Sequence, residues 1–321
     1  MTVIGIGLFS GCSGEAAKNQ AAYRQAGITC MEQGDYENAI VAFEAALQQK
    51  IGSVGSDEID ISYYKGAAQY ASGDVNGAMA TYQAILDYDK KQPDAYYLRG
   101  CLYLKQGNEE AAKLDFENAV KYHPDEYELY LGIYENLAGA GYVEEGEAYL
   151  NQAFGIKGEA VSNLEYRGRI HYLLGDYDSA LTDLKAALEG GSDSANLYLA
   201  KTYDAMGDDV TAEGYYTEYL SNHAKDAEAL GAMGTIMLEK KQYDKAVTYL
   251  ESALEYNGDV VNRMAMQDLV IAYEYTGAFD KAWELIERYV TLFPEDEKAQ
   301  KEYIFLKNRQ MKVESPVVSN E

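Results

Sequence analysis

Apolar residues recur along this chain at helical spacing, and the pattern itself repeats about every 34 residues. The clearest marker of a repeat is the phrase Gly-Asp-Tyr-x-x-Ala or a near copy, which first begins at Gly34. Later copies begin at Gly73, Gly107, Gly141, Gly175, Gly207, Lys241 and Gly277. Eight copies in phase predict an array of eight similar helical units.

Each copy predicts two helices joined by a turn. The glycine is expected to end the first helix in a left-handed conformation, and the aspartate, where present, to cap the second helix. A small residue and, one helical turn later, a bulky apolar residue then face the core. The small residues are Ala39, Ala78, Ala112, Gly146, Ala180, Ala212, Ala246 and Ala282, and the bulky ones are Phe43, Tyr82, Phe116, Leu150, Leu184, Tyr216, Leu250 and Ile286.

A second small residue stands seven positions before the turn in six of the copies. These residues are Gly27, Gly66, Gly100, Gly168, Ala200 and Gly234. The fourth and eighth copies depart from this rule with Tyr134 and Val270. Small side chains at these positions let the two helices of a pair approach closely.

This layout resembles the tetratricopeptide repeat, which has small residues at its eighth and twentieth positions, an aromatic residue at the twenty-fourth and often a closing proline. Pro124 and Pro294 fit that closing place. The resemblance covers residues 20–294 and implies an all-α fold, a right-handed α-α superhelix of about eight helix-turn-helix repeats. Residues 295–311 are predicted to form a capping helix, and residues 312–321 a loose tail.

The first residues do not follow the repeat. Residues 1–11 contain a short apolar run typical of a signal peptide. Cys12 follows small residues, in a segment that resembles the lipobox of bacterial lipoproteins, so we expect lipidation at Cys12 and a tether over residues 12–19. The resemblance implies an extracytoplasmic, membrane-anchored array. A cytoplasmic adaptor or regulatory protein is the alternative.

Charge and motif content limit the possible functions. The 27 basic and 53 acidic residues leave a net charge of −26, which repels the phosphates of nucleic acid. Nucleophile elbows, phosphate-binding glycine loops and zinc motifs are missing from the sequence, and the histidines share no motif. Neither a catalytic site, a metal site nor a cofactor is predicted. An enzyme built as a helical toroid stays open as a further alternative.

Tyrosine is unusually frequent, with 31 copies. In the tetratricopeptide family the first helix of each repeat lines a concave groove, and ligand contacts commonly come from its second, fifth, ninth, twelfth and thirteenth positions. The resemblance therefore implies a groove that binds a peptide or another protein. The predicted groove residues are Tyr63, Tyr70, Asp94, Tyr97, Leu131, Glu135, Glu165, Arg169, Tyr172, Lys201 and Asp204.

Overall fold

The computed structural model describes residues 10–49, 54–158, 160–258 and 262–314, with side chains from residue 14 to residue 309. All regular elements in these ranges are α-helices. They form two compact units, one up to and including Gly158 and one after it. The predicted all-α fold of helix-turn-helix repeats is confirmed in both units.

The first unit consists of four helix pairs, each packed against the next along the chain. Its helices are α1 (Ser10–Glu32), α2 (Tyr36–Leu47), α3 (Ser56–Ala71), α4 (Val75–Tyr88), α5 (Pro93–Lys105), α6 (Glu109–Tyr122), α7 (Tyr127–Gly139) and α8 (Val143–Ala153).

The second unit consists of four further pairs and one additional helix that packs against the last pair. Its helices are α9 (Val161–Leu173), α10 (Tyr177–Glu189), α11 (Ala195–Ala205), α12 (Asp209–Asn222), α13 (Ala227–Glu239), α14 (Tyr243–Tyr256), α15 (Arg263–Thr276), α16 (Phe279–Leu292) and α17 (Glu297–Glu314).

The turn inside each pair has the predicted backbone conformation. All eight turn residues have positive φ, including Lys241 with φ 58° and Gly141 with φ 91°. Glycine adopts this conformation without a steric penalty, which explains why seven of the eight are glycine. Asp35, Asp74 and the other turn aspartates accept a hydrogen bond from the backbone N–H three residues later, so their predicted capping role is confirmed.

The paired small and bulky residues bring the two helices of a repeat into contact. A Cβ placed on Gly27 would lie 2.5 Å from the ring of Phe43, and one on Gly234 would lie 2.4 Å from Leu250 Cγ. In the fourth repeat Tyr134 takes the first small position, and Gly146 opposite it replaces the alanine that the other repeats have at the second small position. A Cβ on Gly146 would lie 3.0 Å from Tyr134 Cδ2. The departure predicted to break the small-residue rule is therefore compensated within the same pair.

The two ends of the chain need separate description. Residues 12–19, expected to be a tether, lie in the first turns of α1. The predicted capping helix is α17, whose Leu306 is buried and whose Tyr303 stacks on Trp283 with ring centroids 5.0 Å apart. It runs to Glu314, three residues into the predicted tail. Residues 1–9, most of the signal-like segment, and residues 315–321 lie outside the described residues.

None of the helices in the described ranges has the length and hydropathy that a bilayer-crossing helix requires.

The contact between α15 and α17 includes a pair of acidic side chains, Glu274 and Glu302. The pKa of Glu274 is raised to about 7, mainly by burial and also by the hydrogen bond and charge of Glu302, although the charge of Arg309 lowers it. The folded state thus holds a proton that the unfolded chain releases near the ordinary pKa of 4.5. The protonated Glu274 side chain therefore stabilises the folded state fully below pH 4.5, the pKa in the unfolded chain. That stabilisation is lost as pH rises through the folded pKa of about 7.

We therefore expect Glu274→Gln to flatten the fall in unfolding midpoint between about pH 5 and pH 8. Chemical denaturation at several pH values measures this slope. Glu251→Gln is the matched control, because Lys281 and Tyr273 lower the pKa of Glu251 and move its effect to a more acidic range. A Glu274→Gln variant with the parent slope would contradict the assignment.

Candidate functional site

The second unit contains a cavity of about 380 Å³ that opens on the first helices of its repeats. Side chains from α9, α11, α12, α13 and α15 line it, and we call it the α13 cavity because α13 contributes the most residues. Three predicted groove residues meet there, namely Tyr172, Lys201 and Asp204. Tyr216, Glu228, Gly231, Glu239 and Met264 also line it.

Gly231 provides much of the open space. It stands ten residues before the turn, where every other repeat carries a larger side chain: Arg24, Tyr63, Tyr97, Leu131, Glu165, Leu197 and Gln267. The nearest atom that a Cβ on Gly231 would meet is Asn262 Nδ2, at 3.7 Å. The space in front of Gly231 is therefore not required for helix packing, in contrast to Gly234 on the same helix.

Acidic side chains outnumber basic ones in the described lining of the α13 cavity. Lys201 Nζ lies 2.5 Å from Glu228 Oε1, and it also lies 5.9 Å from the centroid of the Tyr172 ring. Asp204 and Glu239 have no cationic partner among the described residues. Partial burial raises the pKa of Asp204, and the nearby charge of Asp209 raises it further. Three carboxyl groups therefore face one ammonium group.

Tyr216 forms part of the cavity wall from the second helix of its repeat. Its side chain is 2% exposed, and its hydroxyl has no hydrogen-bond partner among the described residues. Burial raises the pKa of this phenol, as do the charges of Asp204 and Glu228 and the phenol of Tyr172. The hydroxyl thus lies close to the polar groups of the cavity, with its hydrogen-bonding capacity unused within the described residues.

The other predicted residues of this unit have partners elsewhere. Glu165 accepts a hydrogen bond from the hydroxyl of Ser192. Arg169 stacks on Tyr198, with its guanidinium carbon 4.7 Å from the ring centroid. Its Nε is buried without an acceptor among the described residues. These residues lie on α9 but do not line the α13 cavity.

In the first unit the predicted residues are dispersed. Tyr63 donates to Gln92 Oε1 at 3.4 Å, and Tyr97 accepts from Asn136 Nδ2 at 3.2 Å, so both hydroxyls are engaged within the unit. Tyr70 is exposed beneath Lys105, whose Nζ lies 4.5 Å from the ring centroid. The remaining predicted residues with exposed side chains are Asp94 and Glu135.

Leu131 corrects the expectation for the fourth repeat. It is 3% exposed, so its side chain is part of the core and does not face a groove. The reason is that α7 is buried on more than one face, with Tyr127, Leu129, Tyr130, Leu131, Ile133 and Leu137 all inside. Positions transferred from the family pattern assume a single buried stripe.

Reactive groups and metal sites are not evident in the first unit. A cavity of about 360 Å³ contains Cys101, Glu135 and Asn136. Burial raises the pKa of the Cys101 thiol to about 12, which keeps it protonated and unreactive near neutral pH. Cys30 and Cys101 are both free thiols. In the described parts of both units, histidine, cysteine and acidic residues form no cluster suited to a metal ion.

The predicted groove set ended with the sixth repeat and so omitted most of the α13 cavity. The second, fifth, ninth and thirteenth positions of the seventh repeat are Glu228, Gly231, Thr235 and Glu239, and all four line the cavity. The sequence does contain a signal for this cavity, because Gly231 is a glycine at a position where the other seven repeats have a larger side chain. Tyr216 carried no such signal, because it occupies the ordinary core position of its repeat.

We expect Tyr216→Phe to change the free energy of unfolding by less than about 0.5 kcal/mol, because no hydrogen bond is lost. Tyr219 on the same helix is the matched control, since it is 7% exposed and donates to Asp226 Oδ2 at 3.0 Å. Tyr219→Phe should cost about 1–3 kcal/mol. Urea denaturation measures both values, and an equal loss for the two variants would show that Tyr216 has a partner.

Comparison with known families supports the repeat assignment. Models of the tetratricopeptide repeat match residues 31–102, 93–126, 167–227 and 227–260, which together cover more than half of the chain. The chain is also 24% identical over 286 residues to a protein CTR9 homolog of Arabidopsis thaliana. That match covers 85% of this chain but only 26% of the relative, so the chain spans about a quarter of the relative's length.

Solved structures show the same fold. A tetratricopeptide repeat protein from Parabacteroides merdae is similar with a TM-score of 0.57 and 15% identity, over 79% of this chain and 99% of that one. The APC/C hetero-tetramer Cut9-Hcn1 contains a chain that is similar with a TM-score of 0.57 and 14% identity, over 93% of this chain and 57% of that one. The chain therefore belongs to the tetratricopeptide repeat family.

Proposed function

We propose that this chain is a protein-interaction scaffold whose second unit holds a segment of another protein in the α13 cavity. Tetratricopeptide repeat proteins generally act as such scaffolds. The observation that carries the proposal is the convergence of Tyr172, Lys201 and Asp204 with residues of two later repeats around an open, polar cavity. Concave sites with a few converging polar groups are typical of ligand binding.

We propose binding without catalysis. Acid–base catalysis requires groups held in register with a reacting atom and shielded from water. Asp204 remains exposed, and Glu228 is engaged with Lys201. Scaffolds of this family are typically non-catalytic.

Site-specific photo-cross-linking tests the scaffold proposal in cells. A photoreactive residue at Met264, which is 65% exposed at the cavity, should capture a discrete partner. The same residue at Val210 is the control, because it is 75% exposed but does not line the cavity. Capture at Met264 should fall about tenfold when Gly231→Leu fills the space, as expected if the loss is near 1.4 kcal/mol. Identical products from both positions, unaffected by Gly231→Leu, would contradict the proposal.

We also propose that acyl chains on Cys12 anchor the protein at the extracytoplasmic face of a membrane. The support is the apolar run over residues 2–9 followed by small residues before Cys12. The Cys12 side chain itself lies outside the described residues. Each buried methylene of an acyl chain contributes about 0.8 kcal/mol, so several chains together hold a protein stably at a bilayer.

Cys12→Ala should move the protein from the membrane fraction to the soluble fraction. Cys30→Ala is the control, because Cys30 is a thiol of the repeat array. Intact-mass spectrometry should find an acylated N-terminus in the parent and in the control only. An unprocessed, unmodified N-terminus would support the cytoplasmic adaptor instead.

A further inference from the structure

The acidic side chains that line the α13 cavity outnumber its cationic side chains. Buried acids on the helix pairs have arginine partners: Arg99 Nη2 lies 2.6 Å from Asp115 Oδ1, and Arg167 Nη2 lies 2.8 Å from Asp183 Oδ1. In the cavity the only ammonium group, on Lys201, is committed to Glu228. Asp204 is exposed and has no cationic partner among the described residues, and an unpaired carboxylate can accept hydrogen bonds from a cation.

The cavity also contains groups that suit a cation. The Tyr216 side chain is 2% exposed and lines the cavity, and its hydroxyl is unpartnered among the described residues, so its oxygen is available to accept a hydrogen bond. The Tyr172 ring already has Lys201 at 5.9 Å and presents the electron-rich face that attracts cations. Three acidic side chains, an unpartnered hydroxyl and an aromatic ring therefore line the same space.

The size of the space limits what can enter it. A volume of about 380 Å³ is at the lower end of ordinary ligand pockets. It suits one long side chain and its peptide group, whereas a whole helix would need a continuous groove. Only the seventh of the eight repeats has glycine at this position, so the opening lies at Gly231, although neighbouring repeats also line the cavity.

We propose that the α13 cavity binds the guanidinium group of an arginine in the partner segment, with Asp204 and Glu239 accepting its N–H donors beside the Tyr216 hydroxyl. Arginine is favoured over lysine because its planar group has five donors that can reach separate carboxylates, and because it is less strongly hydrated and stacks on aromatic rings. This inference rests on the proposed scaffold function and specifies the partner's chemistry.

Methyl NMR on the full chain tests the inference with defined probes. The probes are blocked alanine pentapeptides with a central arginine, lysine, citrulline or glutamate. The Met264 methyl reports on the cavity, and the methyl of Met206, which is 48% exposed and does not line it, is the internal control. We expect a saturable shift of Met264 with the arginine peptide and at least about tenfold weaker binding of the citrulline peptide, because citrulline loses the charge-assisted hydrogen bonds.

Two variants separate specific binding from the general attraction of a chain with net charge −26. Gly231→Leu places a side chain in the cavity and keeps every charge, its Cβ would lie at an ordinary contact distance from Asn262 Nδ2, and circular dichroism checks that the variant is folded. It should abolish the Met264 response. Gly214→Leu is the matched control, because Gly214 faces open space on α12 and does not line the cavity, and it should respond like the parent. Asp204→Asn combined with Glu239→Gln should weaken arginine binding about tenfold.

Equal binding of arginine and citrulline peptides, preference for glutamate, or an undiminished response in Gly231→Leu would each overturn the inference. Lysine binding as tight as arginine would overturn the guanidinium assignment. The outcome of cross-linking at Met264 does not depend on whether the partner supplies an arginine. Partner capture there, without arginine preference in the peptides, would refute this inference and leave the scaffold function standing.

Discussion

The structure depends on the close approach of two helices at a point where one lacks a side chain and the other carries a large one. Gly27 against Phe43 and Gly168 against Leu184 place a backbone within van der Waals reach of a bulky side chain. A Cβ added at these glycines would lie well inside contact distance, so either the bulky side chain or the helices would have to shift. In the fourth repeat Gly146, in place of alanine, makes room for Tyr134, so the helix pair and not either position alone satisfies this constraint.

Because packing within each pair is satisfied by a few positions, the remaining positions of the first helix are free to differ between repeats. Gly231 and Gly234 illustrate the division on one helix. Leu250 packs directly against Gly234 and fills the space beside it, whereas Gly231 faces a cavity. Glycine thus allows close helix packing at position 234 and leaves an open cavity at position 231.

Acidic side chains also differ between the packed interior of the helix pairs and the α13 cavity. Acids that face the interior of helix pairs are neutralised within the chain, as in the Arg99 and Asp115 pair, where the guanidinium also donates to Gln83. Acids at the α13 cavity are only partly neutralised, and Glu274 near the last helix responds by retaining a proton to a pKa of about 7. A strongly acidic chain therefore has two ways to keep buried or partly buried carboxyl groups, an arginine partner or a retained proton, whereas the acids of the cavity stay exposed.

Local features of the sequence determined the repeat architecture, because turn glycines, capping aspartates and the spacing of small and bulky residues act within one helix pair. The burial of Leu131, the grouping of Tyr172, Lys201 and Asp204 with Gly231, and the contact of Glu274 with Glu302 were decided only in the tertiary structure. Each of these depends on how neighbouring repeats and helices meet. A 34-residue pattern states which face of a helix is buried within its own pair, but the space left between one repeat and the next depends on the volumes of side chains from several repeats at once.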